Sequence, residues 1–316
     1  MSQNFALVGV GGYIAPRHLE AIRATGNRLL AALDPNDSVG ILDRFALDVS
    51  FFTEFERFDR FAEKLRRKGA DERLHWISIC SPNYLHDAHI RFALRIGANA
   101  ICEKPLVLEP WNLDALQDLE HESGCLVRTV LQLRVHPQLM ALRDQLLAEA
   151  SSTSREVDLT YITSRGRWYE ISWKGNESRS GGLASNIGIH FFDLLIWLFG
   201  PVQHLEVHTS SATRVGGWVE LERARVRWFL SIDASDLPPE ARAAGKPTFR
   251  SITVDGSEIE FSEGFTDLHN AVYRESLAGR GFGLSDARPS IALAHAIRRA
   301  DVSPNPDHVH PVLSRV

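Results

Sequence analysis

Cysteine is scarce: three residues in 316, Cys80, Cys102 and Cys125, with no Cys-x-x-Cys spacing. An odd number of widely spaced thiols speaks against a disulfide framework and against a structural zinc site, so a reducing cytoplasm is expected and a metal is not. Positive charge is short as well, since 35 Lys and Arg face 40 Asp and Glu for a net charge of -5. No overall field draws the chain to nucleic acid or to an anionic membrane, and the expected partner is a small molecule. The most apolar internal run is interrupted by Asp193 and is too short for a bilayer span, while the N-terminus lacks a basic leader region. Neither membrane insertion nor export is expected. Internal repeats and low-complexity tracts are absent too.

What is present is ordinary soluble composition, 44% hydrophobic and 24% charged, on a chain longer than a usual single domain. The pattern predicts an α/β Rossmann domain, a doubly wound parallel sheet, over 1–131. An α+β domain with a large, mainly antiparallel open sheet follows over 132–316. Phe5-Ala6-Leu7-Val8 leads into Gly9-Val10-Gly11-Gly12-Tyr13-Ile14 and then a helical pattern, which reads as strand, glycine turn, helix. Gly9 suits the tight turn, and Gly11 lets backbone N–H groups at a helix start approach a pyrophosphate. Ile14 stands where a third glycine is usual, with Gly12 offering the close approach instead. Alone, such a turn also serves as a purely structural βα turn. The strand over 27–33 ends in Asp34, 25 residues after Gly9, near the spacing at which an acid binds ribose hydroxyls. Asn36 and Asp37 add no cation there, so NAD is expected over NADP.

Further on, the apolar strand 76–80 runs into Ser81-Pro82-Asn83-Tyr84-Leu85-His86, a loop that faces the ligand crevice in a doubly wound sheet. The strand 100–102 ends in Glu103-Lys104-Pro105, where proline forbids continuation of the ladder. Lys104 therefore sits at a carboxyl-terminal strand end, either as a cofactor-facing group or as a surface salt-bridge lysine. Past 151–154 the period changes to alternation, and Asp255-Gly256 between two apolar runs signals a hairpin. From Ala184 to Gly200 the apolar residues recur as on one buried helix face, placing Asn186 and His190 one turn apart. His190 is either a satisfied core histidine or an acid/base. The stretch 165–179 holds four cations among three large aromatics, which suits an anionic ligand with a flat ring and equally suits a subunit interface.

In series, Gly9-Val10-Gly11-Gly12, Cys80-Ser81-Pro82-Asn83-Tyr84-Leu85-His86, Glu103-Lys104-Pro105 and the run from Gly181-Gly182 to Asn186-Ile187-Gly188-Ile189-His190-Phe191-Phe192-Asp193 span most of the chain. Together they resemble the glucose-fructose oxidoreductase and inositol dehydrogenase family. The resemblance implies hydride transfer between a nicotinamide and a sugar or cyclitol, with Lys104 and His190 catalytic, and an assembly expected to be a homotetramer. Cofactor contacts are implied for Gly9, Gly11, Gly12, Tyr13, Ile14, Asp34, Asn36, Ser81, Pro82, Asn83, His86, Glu103 and Lys104. Many relatives carry a carboxylate where Asn186 stands, and an asparagine orients a substrate without taking its proton. Within the family, segments 164–193 and 263–269 are most similar to UDP-N-acetylglucosaminuronate 3-dehydrogenases, which serve bacterial lipopolysaccharide sugar synthesis. That likeness implies contacts from Lys104, Arg165, Tyr169, Trp173, Lys174, Ser178, Asn186, His190 and His269 to a UDP-sugar uronate. Two other classes stay open: glycosidases that oxidise C3 transiently with bound NAD, and non-catalytic nucleotide sensors, which would keep the Rossmann features but tolerate loss of Lys104 and His190.

Overall fold

The computed structural model describes residues 2–149, 154–259, 267–304 and 306–313. Two compact units divide the chain: Met1–Val135 with Gly264–Arg288, and His136–Glu263 with Pro289–Val316.

The first unit begins with β1 (Asn4–Val8), α1 (Ala15–Ala24), β2 (Arg28–Leu33), β3 (Ser50–Phe52) and α2 (Phe55–Lys68). It continues with β4 (Trp76–Ile79), α3 (His86–Arg95), β5 (Asn99–Cys102), α4 (Trp111–Ser123) and β6 (Val127–Thr129). All six strands pair in parallel in the order β3-β2-β1-β4-β5-β6. Strands covered on both faces need no alternation, and β1 and β4 are buried at every residue. The chain order reverses beside β1, and at such a switch point open α/β sheets take ligands at the carboxyl ends of their strands, here β1 and β4. α1 starts with a proline in its first turn and buries Ala15, His18, Leu19 and Ile22, a spacing of three, four and seven that makes one face.

The second unit opens with α5 (Pro137–Ala148) and β7 (Arg155–Thr163), followed by the short helices α6 (Arg167–Ile171) and α7 (Glu177–Ser180). Next come α8 (Ile189–Phe199), β8 (Val202–Ser210), β9 (Arg214–Leu221), β10 (Ala224–Ser231), α9 (Pro239–Ala243), β11 (Thr248–Val254) and β12 (Ser257–Glu258). The sheet order is β12-β11-β7-β10-β9-β8, antiparallel except for the parallel pair β7 and β10. At the expected hairpin, Asp255 (φ 50°) and Gly256 (φ 79°) both adopt the left-handed turn that joins β11 to β12. α8 lies on the sheet through Phe192 and Trp228, whose rings meet edge to face at 5.3 Å. The 23-residue helical stretch Glu177–Phe199 is long and apolar enough to cross a membrane by length and composition, contrary to the expectation above, and 78% of its most apolar window is buried inside the protein.

The expected boundary at 131–132 is corrected in one respect. The chain returns to the first unit with α10 (Leu268–Leu277) and the start of α11 (Leu284–Arg299), and the division falls inside α11 at Pro289. The reason is packing: Val272 and Tyr273 are buried in one cluster with Phe5, Leu19, Ile22 and Trp76. Tyr273 stacks on Phe5 at 6.0 Å.

Candidate active site

The glycine turn is built as the chemistry of a dinucleotide site requires. Gly9 has φ 87°, and a Cβ there would lie 2.6 Å from the Ser81 nitrogen and 2.7 Å from the Cys80 carbonyl. A Cβ on Gly12 would lie 3.1 Å from the Gly9 oxygen, and one on Gly11 3.1 Å from Asp34 Oδ2. The backbone of β1's end thus runs against the loop after β4 at a distance only glycine permits. Ile14, at the third fingerprint position, is half-buried against the core cluster, and Tyr13 beside it is 91% exposed.

Asp34 is buried at the end of β2 and accepts from the Gly11 N–H (2.9 Å), the Asn36 N–H (2.9 Å) and Asn36 Nδ2 (3.2 Å). A carboxylate offers about four acceptor positions, so capacity for a ribose hydroxyl remains. Its charge repels a phosphate on the 2′ oxygen. The turn, the helix start and the acid all fit NAD, which Gly9, Gly11, Gly12 and Asp34 would hold.

Three residues expected to touch ligand, His86, Glu103 and His269, hydrogen-bond within the protein. The fully buried His86 places Nδ1 2.7 Å from the Pro105 carbonyl and Nε2 2.8 Å from the Ser81 carbonyl. Two carbonyl acceptors ask for two N–H donors, whereas burial lowers the His86 pKa; these acceptors and the Glu103 charge oppose that loss. His86 therefore ties the Ser81 loop to the segment after Lys104. Glu103 is buried, with Oε1 accepting from His18 Nε2 (3.0 Å) and His269 Nε2 (2.9 Å), and Oε2 accepting from the Lys104 N–H (3.2 Å). His269, on α10, is 3% exposed, and its Nε2 donates to that carboxylate. Burial alone would push the Glu103 carboxyl up, but the hydrogen bonds from His18 and His269 outweigh it and hold the group well below the usual carboxylate range. Sequence reasoning passed over His18, although its place on the buried face of α1 between Ala15 and Ile22 was a signal. Lys104 itself is half-buried, and its bond to Pro105 is cis. Ser81 donates to or accepts from His89 at 2.8 Å, and Asn83 is buried in the turn before α3.

In the second unit the expected regular helix is interrupted. Ala184–Gly188 forms a π turn, and α8 starts only at Ile189. Such turns recur at functional sites, and this one carries Asn186. Asn186 Nδ2 donates to the Tyr169 hydroxyl at 2.8 Å. His190 is half-buried in the first turn of α8. Tyr169 is buried, which pushes its phenol pKa up against the opposing effects of Asn186 and Arg165.

Lys174 lies over two rings, 5.3 Å from the centre of Trp168 and 5.1 Å from that of Trp173. Burial and then the Arg165 charge lower its pKa. Ser178 donates to Asn176 Oδ1 at 2.7 Å within the turn that starts α7. Trp173, Asn176 and Arg179 line an open groove of about 440 Å³ with Glu170. The segment thus seats one of its cations, Lys174, on two aromatic rings.

The family model described as "Oxidoreductase family, NAD-binding Rossmann fold" matches residues 3–130, and its companion "Oxidoreductase family, C-terminal alpha/beta domain" matches residues 153–228. The structure of the WlbA (WbpB) dehydrogenase from Thermus thermophilus with NAD and alpha-ketoglutarate is 55% identical, with a TM-score of 0.94 over 98% of this chain and 99% of that one. The same enzyme with NAD and UDP-GlcNAcA gives 54% identity and a TM-score of 0.93 over 98% and 99%. A putative UDP-kanosamine synthase oxidoreductase subunit from Amycolatopsis mediterranei is 30% identical over 171 residues, 52% of this chain and 45% of that protein. The match to the D-glucoside 3-dehydrogenase of Escherichia coli, 26% identical, covers 44% of this chain and 40% of that protein, so the chain spans less than half the length of these two curated relatives. Glycine turn, acid, Lys104 strand end and mixed sheet, matched along nearly the whole length, place the chain in the oxidoreductase family that joins an NAD-binding Rossmann fold to a C-terminal alpha/beta domain.

Proposed function

We propose that this protein oxidises the C3 hydroxyl of UDP-N-acetylglucosaminuronate to the 3-keto sugar, a step serving bacterial lipopolysaccharide sugar assembly. The observation that carries the reading is the full-length likeness, at 54% identity, to a dehydrogenase held with NAD and UDP-GlcNAcA. Support from this chain is the cationic, aromatic segment where Lys174 rests on Trp168 and Trp173. NAD, when bound, supplies the hydride acceptor. His190 takes the hydroxyl proton, since imidazole titrates near neutral pH, and Lys104 stabilises the developing negative charge on oxygen. Asn186, held by Tyr169, orients the sugar without exchanging a proton. Arg165 and Lys174 meet the anionic groups of the ligand.

Incubation with NAD, an equivalent of alpha-ketoglutarate as NADH acceptor and each candidate sugar nucleotide tests this, with mass spectrometry reading the loss of two hydrogens. UDP-N-acetylglucosamine lacks the uronate, and a lost charge-assisted hydrogen bond should make it at least about tenfold poorer. NADP in place of NAD should likewise be at least about tenfold poorer, because Asp34 repels its phosphate. Keto product from inositol or free hexose, with none from the UDP-uronate, overturns the substrate and leaves a dehydrogenase.

We further propose a homotetramer built on the outer face of the second unit's sheet. Its support is the row of Arg225 and Arg227 on that face, side chains 48% and 36% exposed, arginine being favoured at interfaces. Sedimentation at micromolar concentration should show a species about four times 35.4 kDa, and a monomer alone removes the proposal.

A further inference from the structure

We propose that Glu103 is the positioning residue of Lys104, and that His18 and His269 hold Glu103 to that task. The inference rests on the role given to Lys104 above. At this strand end the ladder stops: the Glu103 N–H donates to the Ile79 carbonyl at 2.9 Å, and Pro105 has no N–H to give. Between them the Lys104 N–H turns back onto Glu103 Oε2. The same carboxylate takes an N–H from α1, which begins at the glycine turn, and another from α10. One buried anion therefore links the start of the cofactor helix, the backbone of Lys104 and a helix that arrives from far along the chain.

The network is closed by its own bookkeeping. Burial lowers the His18 pKa, so a neutral ring donates from Nε2 to Glu103 and accepts at Nδ1 from the Tyr273 hydroxyl, 2.7 Å away. The Tyr273 oxygen then accepts from the Ser78 hydroxyl at 2.6 Å, and every partner is used. The titratable groups around Glu103 are His18 on α1, Cys80 after β4, His86 on α3, Cys102 on β5, and His269 and Tyr273 on α10. Three of them, His18, Glu103 and His269, bring ligand-type atoms within 4.8 Å of one another, which also suits a small cation. Yet both imidazole nitrogens sit at ordinary hydrogen-bond distance from a single oxygen, and behind His18 the donors run on through Tyr273 to Ser78 without an ion.

The test uses the full-length protein with NAD and the sugar nucleotide. Glu103→Gln keeps the shape but turns an NH2 group towards one of its three donors, and His269→Ala removes a donor. Each should lower kcat at least about thirtyfold with KM changed less than about threefold, the pattern of a displaced catalytic group. His269→Gln, whose amide N–H reaches where Nε2–H does, should recover to within about fivefold of wild type. In a Lys104→Ala background, Glu103→Gln should cost no more than about twofold further, because two changes acting through one group do not add. Wild-type turnover in Lys104→Ala overturns the role of Lys104 and the positioning with it. A large loss in Lys104→Ala alongside wild-type kcat in Glu103→Gln, or equal losses in His269→Gln and His269→Ala, overturns the positioning alone. Stoichiometric metal in the purified protein by emission spectroscopy, lost in His269→Ala, overturns it in favour of a metal site. If Glu103→Gln does not fold, the His269 pair still decides.

Discussion

Lys104→Ala and His190→Ala should each lower turnover at least about a hundredfold, the lower range for a lost general acid or base, while NAD affinity and the urea midpoint stay at wild-type values. Alcohol oxidation needs the hydroxyl proton removed as hydride departs, and the chain offers two suitable groups on rigid supports. Lys104 is anchored at a strand end by Glu103, and His190 stands in the first turn of α8 between the buried residues Ile189 and Phe191. Neither side chain is needed to hold the glycine turn or Asp34, which is why NAD binding should survive. Steady-state kinetics, calorimetric titration of NAD and urea denaturation read the three quantities separately. Wild-type turnover in either variant removes that residue from the mechanism. A fall in turnover matched by a fall in the urea midpoint reassigns it to the core.

Gly9→Ala should destabilise the protein by about 3–5 kcal/mol and weaken NAD binding beyond easy measurement, combining a strained left-handed backbone with an overpacked contact. The added methyl would sit 2.6 Å from the Ser81 nitrogen and 2.7 Å from the Cys80 carbonyl, and these are main-chain atoms that cannot rotate away. Relief requires β1 and the loop after β4 to part, and that movement opens the surface meant to face the pyrophosphate. Gly26 provides the control. It has φ 72° with nothing within 4 Å of an added Cβ, so Gly26→Ala should cost only the conformational part, about 1–2 kcal/mol. The difference between the two urea midpoints isolates the contact. Equal midpoints would show that the close approach of the two loops carries no energy.

Gly9 was legible beforehand only in part. A strand running into Gly9-Val10-Gly11-Gly12 marks a turn because short-range sterics decide it, and Asp255-Gly256 marks a hairpin for the same reason. Asp34 was legible because parallel strands alternate with helices at a regular length. The identity of Glu103's partners was not. His18 and His269 are 251 residues apart, and nothing local in either segment states that they share an oxygen. His86 reads as a crevice residue by its place after β4, and only the positions of the Ser81 and Pro105 carbonyls turn it inward. The π turn at Ala184–Gly188 is hidden as well, because an apolar pattern fits both helices for the few residues involved. Lys174 was recognised as a cation among aromatics, whereas its seat over two indoles depends on the bends at Ser172 and Asn176.

The discontinuous first unit has a consequence for synthesis, which runs from the N-terminus. All six strands of the parallel sheet are made once Thr129 has left the ribosome, but α10 comes almost 140 residues later, on the order of ten seconds at ordinary translation rates. Throughout that interval the nascent sheet holds Phe5 and Trp76 without Tyr273 over them, and Glu103 with one histidine in place of two. The strand end that carries Glu103 and Lys104 is thus completed late, by a helix that cannot arrive until the whole mixed sheet has been translated.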